Sequence, residues 1–600
     1  MSEPLSVPNR QDVRPDDTWD LSPLFADDAS WEKALKKMEA RIPEFEAFRG
    51  KLGSSAQVLL ECCELESSFN RDAEKIGSYA FLKASENLAD SAYQGMIARY
   101  TYVATRAEEA GSYIASEIRA IPKSRMESFL ADPVLSEYRF VLEKLLRHRP
   151  HILSEKEERL LAMQGEVAGS AGRIFGQLND ADMKFGFIRD EKGNQMPLTQ
   201  ASFRSLLESP SRIVRKKAFN QFYAQYEAHA NTLAASLSAS VLQDVYHARA
   251  RKYPSAREAS LFHDHVPVSV YDNLITAVHD KIGVVHHYLE VRRKALRVSS
   301  LHMYDTYVPI VHPRDVNIPY DEAVSTICQA LAPLGAKYCD TLEKGLCGRW
   351  VDRYENQGKR SGAFSAGGYT GPPYILMNYR SDTIDSMFTL AHEAGHSMHT
   401  WHSAKAQPFQ YYDYPIFLAE VASTFNEILL TRHLLQQASD RAERAFLVNR
   451  EIDEIRGTII RQTMFAEFEK IIHDLAEAGE PLTLEVFREE YRKLLELYFG
   501  PDFVIDDALS LEGLRIPHFY HAFYVYKYAT GLSAAIALAD KLINGGAPAR
   551  KAYEGFLKAG CSKYPLDTLR QAGVDMEQPE PVGAAMQRLC DLVDELEDLL

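Results

Sequence analysis

Apolar residues recur at intervals of three and four over most of this chain, and that period limits its fold more than any other feature. The stretches "WEKALKKMEARIPEFEAF", "AFNQFYAQYEAHANTLAASLSASVLQDVYHARAR" and "FLVNREIDEIRGTIIRQTMFAEFEKIIHDLAEA" carry it across many turns. Such a period gathers the apolar side chains into one stripe along a helix, which must then pack against a neighbour. The expected fold class is all-α, or nearly so. At 600 residues the chain exceeds what a single core holds, so two lobes are expected. The boundary is placed near residue 200, giving an N-terminal helical lobe over 1–200 and a second domain over 201–600.

Two segments break the helical period. "DMKFGFIRDEKGNQMPLT" (182–199) alternates around a Lys-Gly-Asn turn and reads as a hairpin. "GAFSAGGYTGPPYILMNYRSD" (362–382) reads as a Gly-rich loop feeding a strand.

Composition excludes several classes of function. A formal charge of −16 disfavours a nucleic-acid surface, and short basic runs such as "RKKAF" lie in helical patterns. No apolar run is long enough to cross a bilayer. The N-terminal "MSEPLSVPNRQDVRPDDTWDLSPLF" lacks the apolar core of a secretory signal. The 7 cysteines are scattered, with no CxxC pair, which disfavours both a disulfide framework and a Cys-rich zinc site. A soluble cytoplasmic protein with no membrane or nucleic-acid partner is expected.

The densest chemistry lies in "AHEAGHSMHTWH" (391–402). Ser381 or Asp382 is expected to cap a helix that ends before Gln407-Pro408. On it, His392 and His396 are one turn apart, so both imidazoles reach a common ion. Glu393 is rotated by about 100° from His392 and flanks that ion as a general base rather than a ligand. A catalytic zinc needs a third protein ligand. His399 is about 10.5 Å along the axis from His392, too far to join. His402 would complete an HExxHxxGxxH pattern, but His399 occupies the glycine position and nothing there makes the turn. Glu420 lies on the next helical segment among Phe417, Leu418, Val421 and Phe425, where an unpaired carboxylate is costly and a nearby cation removes the cost. Glu427, two turns on, either hydrogen-bonds a ligating imidazole or is an ordinary helix carboxylate.

The blocks "PPYILMNYRSDTIDSMFTLAHEAGHSMHT", "FLAEVASTFNEILL" and "RIPHFYHAFYVYKYATG", with weaker support from "DDTWDLSPLF", resemble the M3 family of zinc metallopeptidases, most of all its oligoendopeptidase F branch. The resemblance spans essentially the whole chain. It implies one zinc ion bound by His392, His396 and Glu420, with water activated by Glu393. It also implies a mostly helical, two-lobed body with a deep channel that admits short peptides, with the catalytic domain over 201–600. In related zinc peptidases a histidine and tyrosines from a segment like "IPHFYHAFYVYKYATG" stabilise the oxyanion. His518, Tyr524 and Tyr528 are the candidates, because Tyr524 and Tyr528 share a helical face and His518 follows Pro517; Tyr520 and Tyr526 are alternatives, as is an aromatic stripe packed in the core. In family members a strand edge beside the metal pairs with the peptide. "SAGGYTGPP" is the candidate for that edge, with Gly367 and Gly368 permitting close backbone approach, unless it is an ordinary loop.

The expected activity is hydrolysis of internal bonds of short oligopeptides. The rivals are a helical zinc carboxypeptidase, and a non-catalytic peptide-binding protein with a structural zinc. A structural site needs no general base, so Glu393 speaks against the latter.

Overall fold

A computed structural model describes residues 7–311 and 316–600. The first six residues of the N-terminal segment lie outside the described residues. Helices account for most of the chain, and the strands are two or three residues long. By contacts the chain divides into two compact units, Met1–Pro150 with Asp315–His433 and Leu538–Gly573, and His151–Arg314 with Leu434–Ala537 and Val574–Leu600. The boundary expected near residue 200 falls inside the second unit.

In the first unit, helices Asp28–Arg41, Ala56–Glu86 and Ser91–Gly111 begin at Asp27, Ser55 and Asp90, whose side chains each accept a backbone N–H of the first turn. Their apolar stripes meet around Trp31, Leu59, Phe69 and Ile76. That core also holds Tyr374 and Leu376. These belong to the strand Tyr374–Leu376, which pairs parallel with Val351–Asp352 (Val351 opposite Ile375) and antiparallel with Phe364–Ala366 (Ser365 opposite Ile375). A three-stranded sheet with Phe364–Ala366 at one edge therefore stands where a loop and one strand were expected. The "DDTWDLSPLF" stretch ties it down. Trp19 donates to Glu86 at 2.8 Å and stacks edge-on against Tyr374 at 6.2 Å, while the Tyr374 hydroxyl donates to the Asp20 carbonyl at 2.8 Å.

The histidine helix follows this strand and spans Ile384–Ala406. Its cap is Thr383, whose hydroxyl accepts Asp385 N–H at 3.3 Å, and not the expected Ser381 or Asp382. Asp382 is instead paired with Arg380 at 2.8 Å. The helix stops where expected, because the residue before a proline avoids helical angles: Gln407 has φ −110° and ψ 149°. A short helix, Phe409–Tyr412, reverses the chain into the glutamate helix, Ile416–Gln437.

The second unit carries the expected hairpin, Phe187–Arg189 paired with Gln195–Pro197. The helical run 218–251 breaks at His229, and the run 446–478 is interrupted by a π-helical turn, Arg456–Ile460. Among the described residues no helix is long and apolar enough to cross a membrane.

Candidate metal centre

The histidine and glutamate helices touch at the glycine of HEAGH. A Cβ on Gly395 would lie 2.5 Å from the Ala422 carbonyl oxygen and 2.6 Å from Ser423 Cα, so only glycine permits this crossing. Asn426 seals it by donating to the Ala391 carbonyl at 3.1 Å. The close approach delivers Glu420 to the histidines. Its Oε2 lies 3.3 Å from His392 Nε2 and 3.6 Å from His396 Nε2, and Ser423 Oγ donates to the same oxygen at 3.0 Å. One ligand atom from each of the three residues lies within 4.8 Å of the others.

Ligand atoms about 2.0–2.1 Å from a tetrahedral zinc stand roughly 3.4 Å apart. The Glu420 separations match that spacing, and two imidazoles with one carboxylate are a donor set that zinc accepts. Behind the first histidine, Glu427 Oε1 lies 2.7 Å from His392 Nδ1, which turns Nε2 toward the shared point. Of the two readings of Glu427, the geometry matches hydrogen-bonding to the imidazole. The residues fit the ion.

The electrostatics have the same focus. Burial alone would lower His392, but hydrogen bonds to Glu420 and Glu427 outweigh it and hold the ring at about 10. The hydrogen bond from His392, working against burial, draws Glu420 down to about 2. His396, buried and facing charged His392, falls to about 4. Glu393 is 8% exposed and is not among the three residues whose ligand atoms converge; burial, opposed by His392 and reinforced by Glu420, lifts it to about 7. The backbone N–H of edge residue Ser365 interacts with its carboxylate.

The remaining histidines of the motif face elsewhere. His399 is fully buried and stacks on Tyr414 at 3.6 Å, and His402 stacks on Tyr338 at 5.9 Å with the helix running on past it. Gly367 and Gly368 make their close approaches inside the unit. A Cβ at Gly367 would meet Thr400 Cγ2 at 2.5 Å, and one at Gly368 would meet Glu74 Oε1 at 2.7 Å.

The C-terminal aromatic segment belongs to the second unit, where His518, Tyr524 and Tyr528 come together. Ring centroids lie 6.3 Å apart for His518 and Tyr524, 6.0 Å for His518 and Tyr528, and 5.4 Å for the two tyrosines. All three are half-buried. The expectation that Tyr524 shares a helix face with Tyr528 is corrected: the helix begins at Tyr526, and Tyr524 sits in the turn before it. The cause is Phe523, whose left-handed φ of 60° no helix can include. Of the alternatives, Tyr520 stacks on Phe175 at 4.5 Å, and Tyr526 is 0% exposed against Tyr271 at 5.2 Å.

Comparison with known proteins accounts for nearly the whole chain. Residues 205–588 match the model of peptidase family M3, and residues 117–185 match that of its N-terminal region, described as oligopeptidase F. Oligopeptidase PepF of Bacillus subtilis is 42% identical over 99% of this chain and 89% of its own length. This chain belongs to peptidase family M3. Among solved structures, oligoendopeptidase F of Enterococcus faecium resembles this M3 chain with a TM-score of 0.74 and 34% identity, covering 95% of this chain and 99% of that one. A crystal structure from Chlamydophila abortus does so with a TM-score of 0.94 and 34% identity, over 99% and 100%.

Within this M3 chain, sequence reasoning missed Gly395, Ser423 and Asn426. Their roles depend on the partner helix and leave no periodic signal. A glycine buried in a helix that otherwise favours larger residues was the available hint, since an interior glycine weakens a helix unless something packs against it.

Proposed function

We propose that this chain is a zinc-dependent endopeptidase that hydrolyses internal bonds of short oligopeptides in the cytoplasm. The observation that carries this reading is the convergence of His392, His396 and Glu420 within 4.8 Å, with Glu393 next to His392 along the helix. The match of almost the entire chain to oligopeptidases supports the substrate class.

His392, His396 and Glu420 would hold one zinc ion, which supplies a Lewis acid for the scissile carbonyl and makes water easier to deprotonate. Glu393 takes the water proton and passes it to the leaving amine. Its place beside His392, one position along the helix, suits both halves of that transfer. Glu427 fixes the His392 ring through Nδ1. His518, Tyr524 and Tyr528 are assigned to donate to the oxyanion as charge develops, a role supported by their mutual packing. The substrate is assigned to pair along Phe364–Ala366, which has a neighbouring strand on one side only among the described residues. Gly367 and Gly368 extend that edge, presenting backbone to the peptide while the loop rests on Thr400 and Glu74. We also retain 1–200 and 201–600 as the N-terminal and catalytic domains, a division supported by the two family models at 117–185 and 205–588.

The test is a chelator-stripped protein given zinc in steps and assayed by mass spectrometry on peptides blocked at both ends and on the same peptides with a free carboxyl terminus. Internal cleavage restored by one equivalent of zinc is expected. Cleavage confined to peptides with a free carboxyl terminus would establish the carboxypeptidase reading instead.

A further inference from the structure

The helix Arg461–Ala478 carries a glutamate that the chemistry above does not use. Glu469 is 0% exposed. Its Oε1 accepts the Phe523 backbone N–H at 3.1 Å, and its Oε2 is buried without a partner. Burial raises its carboxyl well above the usual range, against the opposing effect of the Phe523 N–H.

Its partner is the unusual residue of the segment. Phe523 has a φ of 60°, a region that a bulky side chain enters only when its surroundings enforce it. Its ring is 1% exposed, 4.6 Å from the His473 ring and 5.9 Å from Tyr271. His473 is itself fixed, with Nδ1 2.7 Å from the Glu469 carbonyl and Nε2 3.4 Å from Asp244. One helix thus grips the backbone and the ring of Phe523 together. Tyr524 comes next, outside the helix that starts at Tyr526, so its direction is set by the dihedrals just before it. A return of Phe523 to negative φ would swing Tyr524 off His518 and Tyr528.

We propose that Glu469 is a positioning residue: by accepting the Phe523 N–H it enforces the left-handed turn that sets Tyr524 against His518 and Tyr528. This rests on the assignment of those residues as oxyanion donors. Strain held by a packed scaffold beside reacting groups is a known means of preorganisation.

The test is a double-mutant cycle on the zinc-loaded full chain with a blocked peptide, reading kcat and KM separately. Glu469→Leu should lower kcat by about 10- to 100-fold at nearly constant KM, the scale of an ångström misplacement. Glu469→Gln keeps a side-chain carbonyl that can accept the Phe523 N–H and should stay within about 3-fold of wild type. In a Tyr524→Phe background Glu469→Leu should add less than about a further 3-fold, because the group it positions is already gone. Full additivity in that background overturns the proposal while leaving the donor role of Tyr524 intact. A Tyr524→Phe variant with unchanged kcat removes the donor role, and this inference with it. Should Glu469→Leu not fold, Phe523→Gly and Phe523→Val carry the test. Both delete the ring, but only glycine accepts positive φ freely. A kcat about 10-fold higher for glycine than for valine supports the proposal, and equal values overturn it.

Discussion

Adding one methyl group at Gly395 tests whether the crossing of two helices assembles the metal centre. In Gly395→Ala the new Cβ would stand 2.5 Å from the Ala422 oxygen, 2.6 Å from Ser423 Cα and 2.9 Å from Ala422 C. Carbon contacts settle near 3.5–4.0 Å, so the glutamate helix must retreat by about 1 Å. All three clashes are with backbone, so no rotamer change relieves them. Overpacking of this kind destabilises by about 1–3 kcal/mol. The larger consequence falls on Glu420, whose Oε2 starts 3.3 and 3.6 Å from the two histidines. Metal–ligand distances tolerate only about 0.2 Å, so a displaced carboxylate binds poorly or not at all. Zinc affinity should fall by at least about 10- to 100-fold, the loss typical of a disrupted ligand support. Competition against a chromophoric chelator gives the affinity, and thermal unfolding of the metal-free protein gives the packing penalty. Unchanged zinc affinity together with unchanged stability would refute the idea that this glycine sets the helix spacing.

Three further outcomes are expected. Glu427→Ala removes the partner of His392 Nδ1 and should weaken zinc binding by about 10- to 100-fold while leaving turnover at saturating zinc largely intact; zinc titrations with activity readout check this. Glu420→Ala should lower zinc content measured by elemental analysis, whereas full occupancy would reopen the place of His402 in the site. Asp264 is buried, which alone would raise its carboxyl, yet His263 and Lys527 outweigh this and hold it at about 2. A carboxylate depressed on folding stabilises fully above its unfolded value near 3.9 and loses that contribution as pH falls toward 2. The unfolding free energy from urea titration should therefore drop more steeply below pH about 4 in wild type than in Asp264→Asn, by up to roughly 2 kcal/mol. Parallel pH profiles would contradict the pairing.

What the sequence revealed followed from local geometry. The four-residue spacing of His392 and His396 specifies a shared face on any helix, and Gln407-Pro408 specifies where that helix stops, so both are readable without a fold. Glu420 was readable because a carboxylate among Phe417, Leu418 and Val421 needs a cation or a donor. The remainder depends on partners distant in sequence. Whether Glu427 faced solvent or an imidazole turned on which side the histidine helix lay. Gly395 is defined by a backbone 27 residues downstream, the difference between positions 395 and 422. The turn at Phe523 contradicts its own residue type, and so broke the helical period assumed for Tyr524 and Tyr528. Thr383 stands as cap in place of Ser381 and Asp382, a difference of one or two residues of the kind common at helix ends. The two compact units interleave three stretches of chain each, which no composition shift near residue 200 announces.

The central claim is that Glu393 is the base beside a zinc ion bound by His392, His396 and Glu420. Its most direct measurement is turnover of a doubly blocked peptide by Glu393→Gln, taken with the zinc content of the same sample. The account predicts one zinc per chain, as in wild type, and a kcat at least about 10²- to 10⁴-fold lower. A zinc-replete Glu393→Gln protein that still cleaves the peptide at a wild-type rate would contradict it.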